Sequence, residues 1–183
     1  LEISVSKIIE HYGQLDITIA NAGFGIYGEF SELTIEDYRR QFETNVFGTL
    51  NVLNASQEIR DLKAQLIVTT DKVYKNMSKT KGYLETDALG GQDPYSASKS
   101  MADIAAQSWI SSFKNPLTAI ARSGNVIGGG DVCADRLIPD LVHSYSSGLT
   151  PRLRSPNSIR PWQHVLDCLN GYLMLVDSVI QKN

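Results

Sequence analysis

With 183 residues, 42% hydrophobic and 20% charged, the chain carries enough apolar side chains for one sizeable core, which excludes disordered and fibrous classes. A formal net charge of -3 without any Lys/Arg-rich run excludes a surface that tracks phosphates, so nucleic acid is not an expected partner. No apolar run is long enough to span a bilayer, Cys133 and Cys168 match no metal or redox spacing, and His11, His143 and His164 form no zinc-type cluster; a chain without metal or membrane, reduced and cytoplasmic, is expected.

Residues 1–13 read as an amphipathic helix. The chain opens on Leu and enters directly into this pattern, which predicts a longer polypeptide upstream. Three short β-branched runs follow at 15–20 (LDITIA), 66–70 (LIVTT) and 117–121 (LTAIA), each of strand length. Between the first two, Thr34 with Asp37 three residues on predicts a capped helix start, and Tyr38, Phe42, Val46 and Leu50 mark its apolar stripe. From Tyr95 onward, Met101, Ile104, Ala105 and Trp109 predict a second helix with a buried face. After Gly128, Gly129 and Gly130 the pattern loosens, and a last helix is expected from about 164 to 180. Alternating strands and helices predict an α/β fold with a mainly parallel sheet.

Residues 21–28 (NAGFGIYG) contain a formal G-x-G-x-x-G after a strand. In the dinucleotide fingerprint the helix begins inside the glycines, so that its N-terminal amides meet the pyrophosphate. Here the helix waits until Thr34, and the next acid at a suitable distance, Glu43, lies within a helix. The stretch is better read as a loop lining a cofactor cleft, with Ala22 and Gly23 allowing close approach. The first strand, phosphate loop and second strand of a dinucleotide domain are then missing from the chain, which predicts ~60 residues upstream and leaves Ile17 and Ile19 on an unpaired sheet edge prone to self-association.

The strongest chemical signal is Tyr95 with Lys99. Four residues apart at a helix start they share one face, and the ammonium can lower the phenol pKa enough to make Tyr95 a base. A phenolate that takes a hydroxyl proton while hydride leaves the same carbon performs the core step of a dehydrogenation.

Asn21-Ala-Gly23, the helix at 42–49 with Asn45, Thr70 at a strand end and Tyr95-x-x-x-Lys99 occur in the order of the short-chain dehydrogenase/reductases, which the chain resembles. From about 42 to 175, the strings 68–74 (VTTDKVY), 82–85 (GYLE), 90–99 (GGQDPYSASK), 124–131 (GNVIGGGD), 135–140 (DRLIPD) and 159–165 (IRPWQHV) resemble the extended, sugar-nucleotide branch, in particular the CDP-glucose 4,6-dehydratases. Residues 1–41 are more similar to single-domain short-chain dehydrogenases.

The resemblance implies a partial Rossmann-like, doubly wound parallel sheet lacking its first strands, residues 1–130 forming the later half of an NAD-binding domain and 131–183 part of a small substrate-binding lobe with a closing helix. It implies NAD as a transient hydride carrier and a CDP-glucose-like sugar nucleotide as substrate. By the same resemblance Thr70, Asp71, Lys72, Tyr95 and Lys99 are catalytic, with Thr69 competing for the role of Thr70. Ala22, Gly23, Asn45, Tyr95 and Lys99 hold the cofactor, and Asn125, Arg136 and Arg160 hold the substrate, where guanidinium forks suit a diphosphate. Trp162 is expected to pack, Asp140 and His164 to support helix ends, and a homodimer to form through helices at 34–60 and 95–113. Two other functions stay open: a short-chain NAD(P)-dependent oxidoreductase of a small alcohol or ketone, and a non-catalytic fragment without the phosphate loop.

Overall fold

A computed structural model describes residues 2–26, 28, 31–77, 79–114, 116–133 and 135–181. The three apolar runs become parallel strands, β1 (Ile17–Ala20), β2 (Ala64–Thr70) and β3 (Leu117–Ser123), ordered β1-β2-β3 with Leu66 opposite Ile19 and Ala119. Every residue of β2 is buried, as a central parallel strand covered on both faces requires. Its Ala64, Leu66 and Val68 pack with Ala119 and Ala121 beneath Val176 of the last helix, α6 (Val165–Gln181). On the opposite face Ile67 meets Leu53 of α3 (Gly48–Gln57) and Ala106 and Trp109 of α4 (Pro94–Ser112). Helices on both faces of a parallel sheet make the unit doubly wound and Rossmann-like. Among the described residues β1 pairs only with β2, and Ile17 and Ile19 are 37% and 48% exposed on that edge.

The chain divides into two units, Leu1–Ser123 with Tyr172–Asn183, and Gly124–Gly171. The first also carries α1 (Glu2–Tyr12) and α2 (Ile35–Phe42). The second holds a two-stranded parallel sheet of β4 (Asn125–Ile127) and β5 (Trp162–His164), the helix α5 (Leu137–Ser146), and the start of α6. His164 Nδ1 accepts from Leu166 N at 3.2 Å and so caps α6, while Asp140 lies in the first turn of α5; both support helix ends. Trp162 differs from its expected packing and is exposed.

Helix α2 starts on the predicted capping box, with Thr34 Oγ1 accepting from Asp37 N and Asp37 accepting from Thr34 N. No helix begins among the glycines at 23, 25 and 28, although Tyr27, Glu29 and Phe30 of that stretch lie outside the described residues. Between α2 and α3 the chain makes one wide π turn, Glu43–Phe47, closed by Gly48 N donating to Glu43 O. The deepest row on this helix is not the expected Tyr38, Phe42, Val46 and Leu50 but Gln41, Asn45, Thr49 and Leu53. At ~100° per residue, four α-helical residues overshoot a full turn by ~40°. The π turn absorbs part of that drift and keeps the second row in line.

Helix α4 starts on Asp93, whose carboxylate accepts from Ser96 N at 2.9 Å, with Pro94 at the first helical position. Its buried face also differs from the expected one. Met101 and Ile104 are exposed, whereas Ser98, Lys99, Ala102, Asp103, Ala106 and Trp109 face inward. The physical reason is polar: Lys99 and Asp103 find partners on the sheet that Met101 and Ile104 could not supply. No described helix is long and apolar enough to cross a membrane.

Candidate active site

The helix start that Asp93 and Pro94 define places Tyr95 in the first turn of α4, half-buried, with its carbonyl accepting from Ser98 Oγ at 2.8 Å. One turn on, Lys99 is buried, and its Nζ donates to Val68 O of β2 at 2.8 Å. Burial pushes the ammonium's pKa down, opposed by the charge of Asp103 one turn further along the helix. The carbonyl of Val68 takes one of three N–H groups.

The loop leaving β1 passes close to this ammonium. A Cβ on Gly23 would stand 3.1 Å from Asn45 Oδ1 and 3.2 Å from Lys99 Nζ, so the missing side chain is what lets the backbone come so near. Asn45, fully buried in the π turn, clamps that loop. Its Oδ1 accepts from Phe24 N at 3.0 Å, and its Nδ2 donates to Phe24 O at 2.8 Å and to Ser98 Oγ at 2.9 Å. Gln41, one turn earlier, accepts from Ile26 N at 2.8 Å. Together they hang the exposed loop residues Ala22 and Gly23 over Lys99. Gln41 and Ser98 leave no apolar stripe in the sequence, because the row they belong to is polar and buried. The i, i+4 spacing of Gln41 and Asn45 was the available signal.

At the end of β2, Thr70 caps a 3-10 turn, Asp71–Val73, that packs on α4. Thr70 Oγ1 donates to Asp71 Oδ1 at 3.1 Å, and Lys72 Nζ reaches the same oxygen at 3.1 Å. The turn is tied to α4 by Ser100 Oγ donating to Val73 O at 3.1 Å. Thr69 points to the other face, where its hydroxyl donates to Asp103 at 3.0 Å. Asp103 also receives Arg122 through Nε and Nη2, both at 2.8 Å, and Gln107 at 2.7 Å. Burial pushes the Asp103 carboxyl up, but the hydrogen bonds from Arg122, Gln107 and Thr69, with the guanidinium charge, hold it below the ordinary carboxylate range. The Asp103 hydrogen bond in turn raises Arg122.

The remaining predicted residues lie in the second unit. Asn125 begins β4, its N–H donating to Pro161 O at 3.1 Å. Arg136, exposed, pairs with Asp131 at 3.2 Å, and Arg160 donates to Ile159 O at 3.3 Å. Among the described residues no group of His, Cys, Asp or Glu could hold a metal ion.

The NAD that the motifs imply suits this donor set. Ribose hydroxyls accept hydrogen bonds, and Lys99 offers an ammonium donor beneath Gly23, where no side chain stands in the way. Ala22, Gly23, Tyr95 and Lys99 are the residues that would hold it; Asn45, fully buried on Phe24 and Ser98, differs from the expectation and would act only by positioning that loop.

The family described as "NAD dependent epimerase/dehydratase family" matches residues 4–183. CDP-glucose 4,6-dehydratase of Salmonella typhimurium is 42% identical over 151 residues, covering 78% of this chain and 42% of that protein. dTDP-glucose 4,6-dehydratase of Xanthomonas campestris is 29% identical over 134 residues, 68% of this chain and 38% of that protein. Among solved structures, dTDP-glucose 4,6-dehydratase from Bacillus anthracis in complex with NAD superposes with a TM-score of 0.75 at 24% identity, covering 96% of this chain and 51% of that one. The chain spans less than half the length of these two curated relatives.

Proposed function

The chain belongs to the NAD dependent epimerase/dehydratase family, and from that premise we propose that it serves a sugar-nucleotide 4,6-dehydratase acting on CDP-glucose. The observation that carries this reading is the Asp71 and Lys72 ion pair, 3.1 Å, on the turn that follows Thr70 and packs against the helix of Tyr95. Simple oxidation of an alcohol needs no second acid-base pair beside the Tyr; loss of water does.

In this reading Tyr95 takes the proton of the sugar C4 hydroxyl, and Thr70 hydrogen-bonds the same oxygen as it becomes a ketone. Lys99, held on Val68 O, supplies the positive charge that favours the phenolate and a donor for the cofactor ribose. NAD held beside Lys99 would supply a reversible hydride acceptor for the sugar. The 4-keto group acidifies the C5 proton, which Asp71 and Lys72 relay to the C6 hydroxyl as the C6–O bond breaks and water leaves. The proton that Tyr95 took from the C4 hydroxyl, passed through solvent, is the one that returns to C5 by way of the same pair; Tyr95 is restored and the sequence is redox-neutral. Asn125, Arg136 and Arg160 hold the sugar nucleotide, the guanidinium forks suiting its diphosphate; residues 131–171 act as part of the substrate lobe, while the closing helix from Tyr172 on belongs to the first unit. The exposed apolar residues Phe47, Met101 and Ile104 support a homodimer through helices at 34–60 and 95–113.

Incubation with NAD and CDP-glucose tests the reading. Mass spectrometry is expected to show loss of one water with no net NADH. Product with stoichiometric NADH would instead favour a short-chain oxidoreductase.

A further inference from the structure

The strings at 68–74 and 82–85 contribute two tyrosines that the chemistry above does not use. In the structure Tyr74 and Tyr83 stack, centroids 5.1 Å apart and planes within 14°. A cation lies over each ring: Arg122 is 5.0 Å from the centroid of Tyr74 and Lys79 is 5.3 Å from that of Tyr83. Arg122 Nη1 also donates to Tyr74 OH at 3.1 Å and to Glu85 O at 3.0 Å. With Nε and Nη2 on Asp103, four of the five guanidinium N–H groups are directed by named acceptors. Asp103 fixes the plane of the fork, so Arg122 is a rigid donor toward the segment after the 3-10 turn.

That segment is what holds the turn's exit. Lys75 N donates to Ala88 O at 2.8 Å and Gly90 N to Val73 O at 2.8 Å, around a bridge between Tyr74 and Leu89. One arm therefore leads from Asp71 and Lys72 through Val73 to Tyr74, and the other leads through Gly90 and Asp93 to Tyr95. Arg122 grips the first arm at Tyr74 and the intervening chain at Glu85.

We propose that Arg122 is a positioning residue: anchored by Asp103, it holds Tyr74 and Glu85 and thereby fixes Asp71 and Lys72 relative to the helix that carries Tyr95. This role rests on the dehydratase reading. It is distinct from stability alone, because loosening the grip slows water loss while proton removal at C4 by Tyr95 continues.

The test uses Tyr74→Phe, which deletes only the hydroxyl that accepts from Arg122, Tyr83→Leu, which removes the stack, and Arg122→Lys, which keeps the charge but not the fork. In the folded variants kcat is expected to fall about ten- to a hundredfold with KM nearly unchanged. The fraction of NADH held in the steady state should rise, and amide exchange at Lys75 and Gly90 should quicken. Unchanged kcat, NADH fraction and exchange in Tyr74→Phe and Tyr83→Leu would overturn the proposal. If Arg122→Lys fails to fold, those two variants decide. A parent protein that forms neither dehydrated product nor NADH overturns the dehydratase reading and the catalytic consequence with it. The exchange rates then decide separately whether Arg122 grips the segment.

Discussion

The interior of the first unit and the surface of the second treat charge in opposite ways. Around α4, Asp103 is fully buried and meets Arg122, Thr69 and Gln107 at once, while Lys99 is buried on a backbone carbonyl. In residues 124–171 the only buried residue among those described is Cys168, and the arginines pair with nearby acids in water, Arg136 with Asp131 and Arg154 with Asp135. Buried networks cost desolvation and return fixed geometry, whereas exposed pairs give little stability and leave side chains free to change partner. Side-chain geometry is thus fixed around α4 and left adaptable in the second unit.

Removing charge at the centre of the first region should have the largest effect. Asp103→Ala leaves the half-buried Arg122 without its carboxylate and is expected to destabilise the protein by about 3 kcal/mol, read from urea denaturation. Next comes Gly91→Ala. An added Cβ would lie 2.1 Å from Ala97 N, forcing the backbone at the start of α4 to move, at an expected cost of about 2–3 kcal/mol. Gly124→Ala, 2.6 Å from Pro161 O in the second unit, should cost less by the same assay, and a reversed order would break the comparison.

A gentler probe is pH. The Asp103 carboxyl is held low in the folded protein, so its contribution is fully present above the unfolded value of about 4 and is lost as pH falls through the lower folded value. The gap in urea midpoint between the parent and Asp103→Asn should therefore be flat from pH 7 to about 5 and shrink only in more acid solution. A gap that closes by pH 6 contradicts the assignment. The smallest effect is expected for Arg136→Ala, a Tm change under about 2 °C with weakened nucleotide binding. A large loss of Tm would mean that the second unit also depends on its ion pairs.

Much of the scaffold was legible because it follows local rules. The three β-branched runs, the box of Thr34 and Asp37, and the delay of α2 past the glycines each express a short-range preference. The Tyr95 and Lys99 pair was legible because four residues on a helix make one face. The inward face of α4 was not, since Met101 and Ile104 are more apolar than the residues that bury. What selects the face is a carbonyl on β2 and a hydroxyl on Thr69, more than 30 residues away in the chain. Arg122 was hidden for the same reason, its partners lying on α4 and at residues 74 and 85. Long-range polar pairing leaves no periodic trace in a sequence.

The wide turn at Glu43–Phe47 has a genetic consequence. A π turn is an α-helix carrying one extra residue, so a single-codon deletion within it should yield a more regular helix and a worse protein. Everything downstream would rotate by ~100°, taking Leu53 away from the sheet while Gln41 kept its hold on Ile26. In a deletion scan, these five codons should be intolerant of loss even though losing one leaves a more regular helix.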